Sequence, residues 1–262
     1  MAFSSISGIS GISGISASYI LILFLSCVEF WFHYRFITYI RKDLTTKQKA
    51  YILSLKSSLT LLLIGIYFNY YYFASGFNEE NFYNILETKN GLNFGILIVL
   101  YFTAYLIMDV YIGKTEYPEY MKVLSGNFHH IVYTFVNIAS LYIGVYPLYL
   151  LMMLSEIPTF ILALGSFDSQ FRNDQLFGIT FLLTRIVYHI ILTWTFRKHS
   201  MYLYVSLAAL GLHLYWFSNW IKKYGISTLW QGNAITKKSN KNNTVKKVKK
   251  QKLNKITKKK SI

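Results

Sequence analysis

The sequence is poor in cysteine and in acidic residues. Its one cysteine, Cys27, excludes an internal disulfide framework. Only 11 aspartates and glutamates stand against 27 lysines and arginines, while 53% of the residues are hydrophobic. A soluble domain of this length would need far more polar surface, so the composition indicates an integral membrane protein.

Acidic residues are missing altogether from residues 237–260, which hold twelve lysines. Subtracting these twelve from the net charge of +16 leaves +4 on the rest of the chain. Because this segment has no apolar periodicity, we predict that residues 224–262 form a disordered, Lys-rich cytoplasmic tail. Such a tail either anchors the topology or attracts anionic lipid head groups, at about 1 kcal/mol per lysine near the surface.

The sequences at the two ends of the chain bear on targeting. The N-terminus lacks a basic region and a small-residue cleavage site, so we expect no cleaved signal peptide. The repeat at residues 5–16, "SISGISGISGIS", is low-complexity sequence to which we assign no function. The final "KKSI" resembles a dilysine retrieval signal of the endoplasmic reticulum, with Lys259 and Lys260 at the required places. That resemblance implies coat proteins as partners.

Long apolar segments set the expected fold. A spanning helix needs about 20 mostly apolar residues. Seven segments qualify approximately: 18–40, 51–72, 91–112, 128–145, 147–164, 176–196 and 201–221. The fourth and fifth are separated at Pro147, which suits a first helical turn and disrupts a helix interior. The prediction is an all-α, multi-pass membrane helical bundle with about seven transmembrane helices.

Basic residues in the short loops set the orientation. The first loop carries four of them, and the tail is strongly basic, so with seven spans both lie in the cytoplasm. The N-terminus is then lumenal and the C-terminus cytoplasmic. Arg197 and Lys198 disagree, because they fall on the lumenal side. Merging the fourth and fifth segments would leave six spans and would place the first loop and the tail on opposite sides.

Ionisable side chains inside the spans are candidates for function, since they usually face a bundle interior or a water-filled cavity. Their depths follow from about 1.5 Å of rise per residue. They form two tiers: a shallow tier of Asp109, His129 and His130, and a deeper tier of Glu156, Arg185 and His213. His189 lies one helical turn beyond Arg185 on the same face. The matching depths of Glu156 and Arg185 predict an ion pair, which would either only orient helices or belong to a functional site.

His129 and His130 raise the question of metal binding. Adjacent residues on a helix point about 100° apart, so the two rings cannot ligate one metal from the same face. No cysteine or HxxxH spacing assists them, and we expect neither a metal nor a cofactor. The histidines either form an amphipathic ring at the membrane interface or take part in proton transfer or hydrogen bonding.

The order of these motifs resembles the TLC domain family, which includes the ceramide synthases. The resemblance covers residues 50–223. It rests on "AYLIMDVYI" with its acidic Asp109, the double histidine, Glu-x-Pro-Thr at residues 156–159, Arg185 and "HLYWFSNWIKK". The implied organisation is residues 1–49 as a low-complexity segment, first helix and basic loop, residues 50–223 as a TLC-like membrane domain, and residues 224–262 as the tail.

The resemblance implies a function and also a departure from it. Ceramide synthases transfer an acyl group from acyl-CoA to a sphingoid amine, and His129 and His130 occupy the place of their essential histidines. The family's second motif, His-Asp with another Asp three residues on, is replaced here by Ser155, Glu156 and Thr159. A serine cannot exchange a proton near neutral pH as a histidine does, so the acid–base set is incomplete.

The expected function is therefore that of the non-synthase TLC branch: binding, sensing or handling membrane lipids in the endoplasmic reticulum, without catalysis. One alternative is an acyl-CoA-dependent acyltransferase with an altered catalytic set. Another is a cargo or assembly receptor. No nucleic acid partner is expected.

Overall fold

The computed structural model describes residues 17–121 and 127–225, and within them the chain is helical with no strand. The α-helices are α1 (Ala17–Ile40), α2 (Thr46–Lys49), α3 (Ile52–Ala74), α4 (Glu79–Thr88), α5 (Gly91–Glu116), α6 (Phe128–Ile143), α7 (Tyr146–Leu151), α8 (Ile157–Phe167), α9 (Asp174–Thr180), α10 (Tyr188–Thr195) and α11 (Ser200–Tyr224). The predicted low-complexity repeat, the Lys-rich tail, and Lys259 and Lys260 lie outside the described residues.

The chain forms a helical membrane bundle. Five helical stretches are long and apolar enough to cross a bilayer: Ala17–Ile40, Thr46–Ala74, Gly91–Glu116, Tyr146–Phe167 and Asp174–Thr195. They correspond to the first, second, third, fifth and sixth predicted spans. The other two predicted spans are also helical, but α6 has only 16 residues, and α11, with 25, has lower hydropathy. Length and hydropathy thus make five of the seven predicted segments candidate membrane spans.

The predicted break between the fourth and fifth segments is confirmed. Gly144 ends α6 with φ of 78°, a left-handed conformation that glycine adopts without strain. Its N–H bonds the Leu141 carbonyl, and the Val145 N–H bonds the Ser140 carbonyl, which together form a Schellman motif. Pro147 then lies in the first turn of α7, where its missing N–H costs no hydrogen bond.

Helix α5 lies at the centre of the bundle and packs against α1, α3, α4, α6 and α7. α1 contacts it through Phe30, whose ring centroid lies 4.7 Å from that of Tyr101. Two ion pairs add to the attachment of α1: Glu29 with Lys56 of α3, and Arg35 with Glu116 of α5 at 2.9 Å. The first helix is therefore packed on the domain whose boundary we predicted at residue 50.

The predicted second loop, between α3 and α5, contains the short helix α4. The Asn78 side chain caps it by accepting a hydrogen bond from the Asn81 N–H, and Phe82 and Leu86 are fully buried. Asn78 followed by Glu79 and Glu80 is a helix-start pattern, so this element was readable in the sequence although we did not predict it.

Two of the spanning stretches are not regular α-helices throughout. A 3₁₀ segment, Met152–Glu156, joins α7 to α8, and a π-helical segment, Phe181–Val187, joins α9 to α10. Helix α3 approaches the 3₁₀ segment so closely at Gly65 that an added Cβ would lie 2.7 Å from the Leu154 nitrogen. π-helical insertions are frequent at functional sites, and here both irregular segments line the interior of the bundle.

Candidate functional site

A partly open cavity of about 430 Å³ lies inside the bundle and is lined by residues of α3 and of α5 to α11. The six predicted site residues all line it: Asp109, His129, His130, Glu156, Arg185 and His213. The two predicted tiers therefore belong to one site.

The wall of the cavity is amphipathic. The charged and imidazole groups lie on the C-terminal half of α5, the start of α6, the irregular segments, α10 and α11. The remaining wall is formed largely by small and apolar side chains from the end of α6 and the start of α11: Ala139, Ile143, Val145, Met201, Val205 and Ala209. An apolar cavity with a few convergent polar groups is the usual form of a small-molecule site.

At one side of the cavity, Asp109 lies between Tyr117 and His130. The Tyr117 hydroxyl donates to Asp109 Oδ1 at 2.9 Å, and Asp109 Oδ2 lies 3.4 Å from His130 Nδ1. Burial, and then the neighbouring Asp109, raise the pKa of Tyr117, so its phenol keeps the proton that it donates. The 3.4 Å contact is within ion-pair range but does not form an aligned hydrogen bond.

The two adjacent histidines face different neighbours, in agreement with their predicted divergence. Their ring planes make an angle of 76°, with His129 against Trp216 of α11 and His130 against Tyr105 of α5. Within residues 17–121 and 127–225, no group of three or more His, Cys, Asp and Glu side chains could hold a metal ion. The two rings nevertheless contact each other edge to face, with centroids 4.1 Å apart, so the imidazoles form one cluster whose outer sides meet α11 and α5.

The predicted pair of Glu156 and Arg185 is confirmed, with 3.4 Å between the carboxylate and Nη2. Arg185 also donates from Nε to the Ser155 carbonyl at 2.8 Å and from Nη2 to the Thr159 hydroxyl at 2.6 Å. All three residues of the altered second motif therefore bind one guanidinium. Its planar fork suits such a set of acceptors.

A second histidine pair joins α10 to α11. His189 Nδ1 lies 3.1 Å from His213 Nδ1, and His189 Nε2 lies 2.8 Å from the Ser206 hydroxyl. The spacing from Arg185 had drawn attention to His189, but nothing in the sequence indicated Ser206. Tyr149 was also missed: it is buried, lines the cavity, and its hydroxyl has no hydrogen-bond partner among the described residues. The chain has 23 tyrosines, and no sequence pattern distinguishes this one from the others.

No protein-family model, curated protein or solved structure matches this chain. The likeness to the TLC domain family therefore rests on the motifs quoted above, and the role of the cavity has to be argued from its own geometry.

We predict that Glu156 and Arg185 are energetically coupled. Glu156→Ala should lower the folded yield, because it leaves a guanidinium in the bundle without its carboxylate, at a cost of about 3 kcal/mol. Adding Arg185→Leu should restore part of the loss, since the lone charge is then removed. The measurement is the monodisperse fraction in size-exclusion chromatography after graded heating.

Arg41→Leu is the matched control, because Arg41 and Asp43 form an exposed pair that should contribute little. A double variant as poor as the two single losses added together would mean that Glu156 and Arg185 act independently.

Proposed function

We propose that this chain is a multi-pass membrane protein of TLC type that binds and handles a lipid in its cavity and has no ceramide synthase activity. The observation that carries the proposal is an amphipathic cavity within a membrane bundle. Its apolar wall suits an acyl chain, and its polar wall suits a head group. The volume of about 430 Å³ lies within the range of ligand sites.

The side chains of the apolar wall support a flexible ligand. Met152, Met153 and Met201 all line the cavity, and methionine adapts its shape to the molecule beside it. The helices around the cavity also expose large apolar side chains, as expected for surfaces in contact with the bilayer. A molecule concentrated in the bilayer is therefore the natural ligand.

The second motif argues against ceramide synthesis. In the position of the family's acid–base residues, Ser155, Glu156 and Thr159 contact Arg185. General acid–base assistance contributes about 10²–10⁴-fold. The Glu156 carboxylate and the Thr159 hydroxyl already hold the guanidinium, so they are poorly placed to exchange a proton with a substrate.

The acyltransferase alternative has one observation in its favour. Tyr117, Asp109 and His130 are arranged so that a carboxylate lies beside an imidazole, with the phenol supporting the carboxylate. A histidine held in this way can act as a base. We therefore retain acyl transfer as the second candidate.

The proposal includes seven crossings, with α6 and α11 added to the five candidate spans. Contacts between the ends of the bundle support this count. Gln48 bonds the Phe167 carbonyl at one end, and Tyr83 bonds the Gly144 carbonyl at the other. At the second end, Glu79 also contacts His199 at 2.7 Å.

Orientation and location are part of the same proposal: a lumenal N-terminus, a cytoplasmic C-terminus and residence in the endoplasmic reticulum. Lysines on the proposed cytoplasmic side support this orientation. Lys47 and Lys49 lie in the first loop after α1, and Lys222 and Lys223 end α11. Anionic lipids and coat proteins at the tail are the proposed partners.

We predict that filling the apolar end of the cavity removes the bound lipid. Ala209→Phe places a ring in the cavity wall, so lipid that copurifies with the wild-type chain should fall severalfold, as quantified by mass spectrometry of extracts. Ala208→Phe is the control, because Ala208 is exposed on the outer face of the same helix. Equal lipid content in both variants would contradict a lipid site in this cavity.

We also predict no ceramide synthase activity above background. The assay supplies acyl-CoA and sphingoid base to the chain in a host that lacks its own synthases. His129→Ala and His130→Ala should then change the bound lipid or the stability rather than turnover. Ceramide formation that disappears with either substitution would replace the first proposal with the acyltransferase.

The topology predicts the outcome of glycosylation mapping. Acceptor sites fused to the N-terminus should be modified, and sites fused to the C-terminus should not, because only the lumenal end meets the transferase. Modification of a C-terminal acceptor would reverse the assignment, and modification at both ends would exclude an odd number of crossings.

A further inference from the structure

The buried histidine pair determines the hydrogen-bonding role of one cavity wall. His213 Nδ1 lies 3.1 Å from the Arg185 carbonyl oxygen and 3.1 Å from His189 Nδ1. A carbonyl oxygen only accepts, so the hydrogen of His213 belongs on Nδ1. His189 Nδ1 must then be an acceptor as well, because two hydrogens cannot share the space between these nitrogens.

The rest of the network is consistent with this tautomer. His189 carries its hydrogen on Nε2 and donates to the Ser206 hydroxyl at 2.8 Å. The Ser206 hydroxyl contacts that of Thr193, and Thr193 donates to the His189 carbonyl at 2.8 Å. Every polar atom of His189 and Thr193 therefore has a fixed role, and a proton shift at His213 would break the contact with Arg185.

The remaining ring nitrogen, His213 Nε2, is available to a ligand in the cavity. In neutral imidazole with the hydrogen on Nδ1, Nε2 has a lone pair and accepts. His213 is 4% exposed and lines the cavity, and no polar group of the described residues bonds its Nε2. This acceptor opens into a largely apolar cavity, where it needs a donor from a ligand or from water.

The charged groups of the cavity also bear on which head group it can bind. The carboxyl groups of Asp109 and Glu156 offer acceptor oxygens, whereas the guanidinium of Arg185 is already bound to protein oxygens. No lysine or further arginine of the described residues lines the cavity, so no free cation is offered to an anionic head group.

We infer that the cavity selects a neutral lipid whose head carries a hydroxyl, and that this hydroxyl donates to His213 Nε2. The inference rests on the proposed lipid-binding function and names the class of ligand. A long-chain alcohol should bind about tenfold more tightly than its methyl ether, which has the same chain and no donor.

The test is competition for photocrosslinking. The full-length protein in lipid nanodiscs is labelled with a photoactivatable analogue of hexadecanol, and unlabelled hexadecanol or hexadecyl methyl ether is added as competitor. Hexadecanol should compete at a concentration about tenfold lower than the ether, after correction for partition into the nanodisc.

Two substitutions test the roles of the two ring nitrogens of His213 separately. His213→Asn keeps an amide that can donate to the Arg185 carbonyl but places no acceptor at the Nε2 position, so the preference for the alcohol should disappear. His213→Gln places an amide at the farther position and should restore part of the preference. His33→Asn is the histidine control, because His33 lies on α1 and does not line the cavity.

The outcomes are distinguishable. Equal competition by alcohol and ether in the wild-type chain overturns the inference and leaves the proposed function standing. A preference that survives in His213→Asn also overturns it. Labelling that neither competitor reduces, and that Ala209→Phe does not change, overturns the proposed function itself. Should His213→Asn fail to fold, the comparison of alcohol and ether in the wild-type chain still decides.

Discussion

A guanidinium within a membrane bundle must find its hydrogen-bond partners inside the protein, and this requirement organises the centre of the structure. Arg185 meets it with the Ser155 carbonyl, the Glu156 carboxylate and the Thr159 hydroxyl. These contacts fix the 3₁₀ segment against the π-helical one. The Arg185 carbonyl in turn contacts His213, so the same residue also connects α11 to the core.

The irregular backbone follows from the same requirement. A regular α-helix satisfies its own carbonyls, whereas 3₁₀ and π segments change which carbonyls remain free for side chains. The Ser155 and Arg185 carbonyls both accept from side chains of other elements. The departures from regular geometry thus lie where the bundle exchanges polar contacts, beside the cavity.

Much of this arrangement could be predicted from the sequence. Apolar length located the helices, Pro147 marked a boundary, and counting residues from the span ends matched Glu156 with Arg185. The same counting separated Asp109, His129 and His130 into another tier, although His129 contacts Trp216 of α11. Depth along a helix is readable from spacing, but rotation about its axis depends on packing, which the sequence alone does not specify.

Other features had no distinct pattern in the sequence. The π-helical segment Phe181–Val187 has no pattern that distinguishes it from a regular apolar helix in the sequence. Ser206 and Tyr149 belong to residue types that are common in this chain, so their positions on the cavity wall could not be recognised. Helix α4 is different, because its cap and its acidic first turn are recognisable in the sequence and could have been used to predict it.

The tight turn after α6 makes the two ends of the cavity unequal in their tolerance of length variation. Gly144 and Pro147 join α6 to α7 without spare residues. One inserted residue would rotate α7 by about 100° and carry Tyr149 off the cavity wall. The link between α5 and α6 has more residues, and insertions there preserve the cavity only if they leave Tyr117, Tyr120 and Met121 in place.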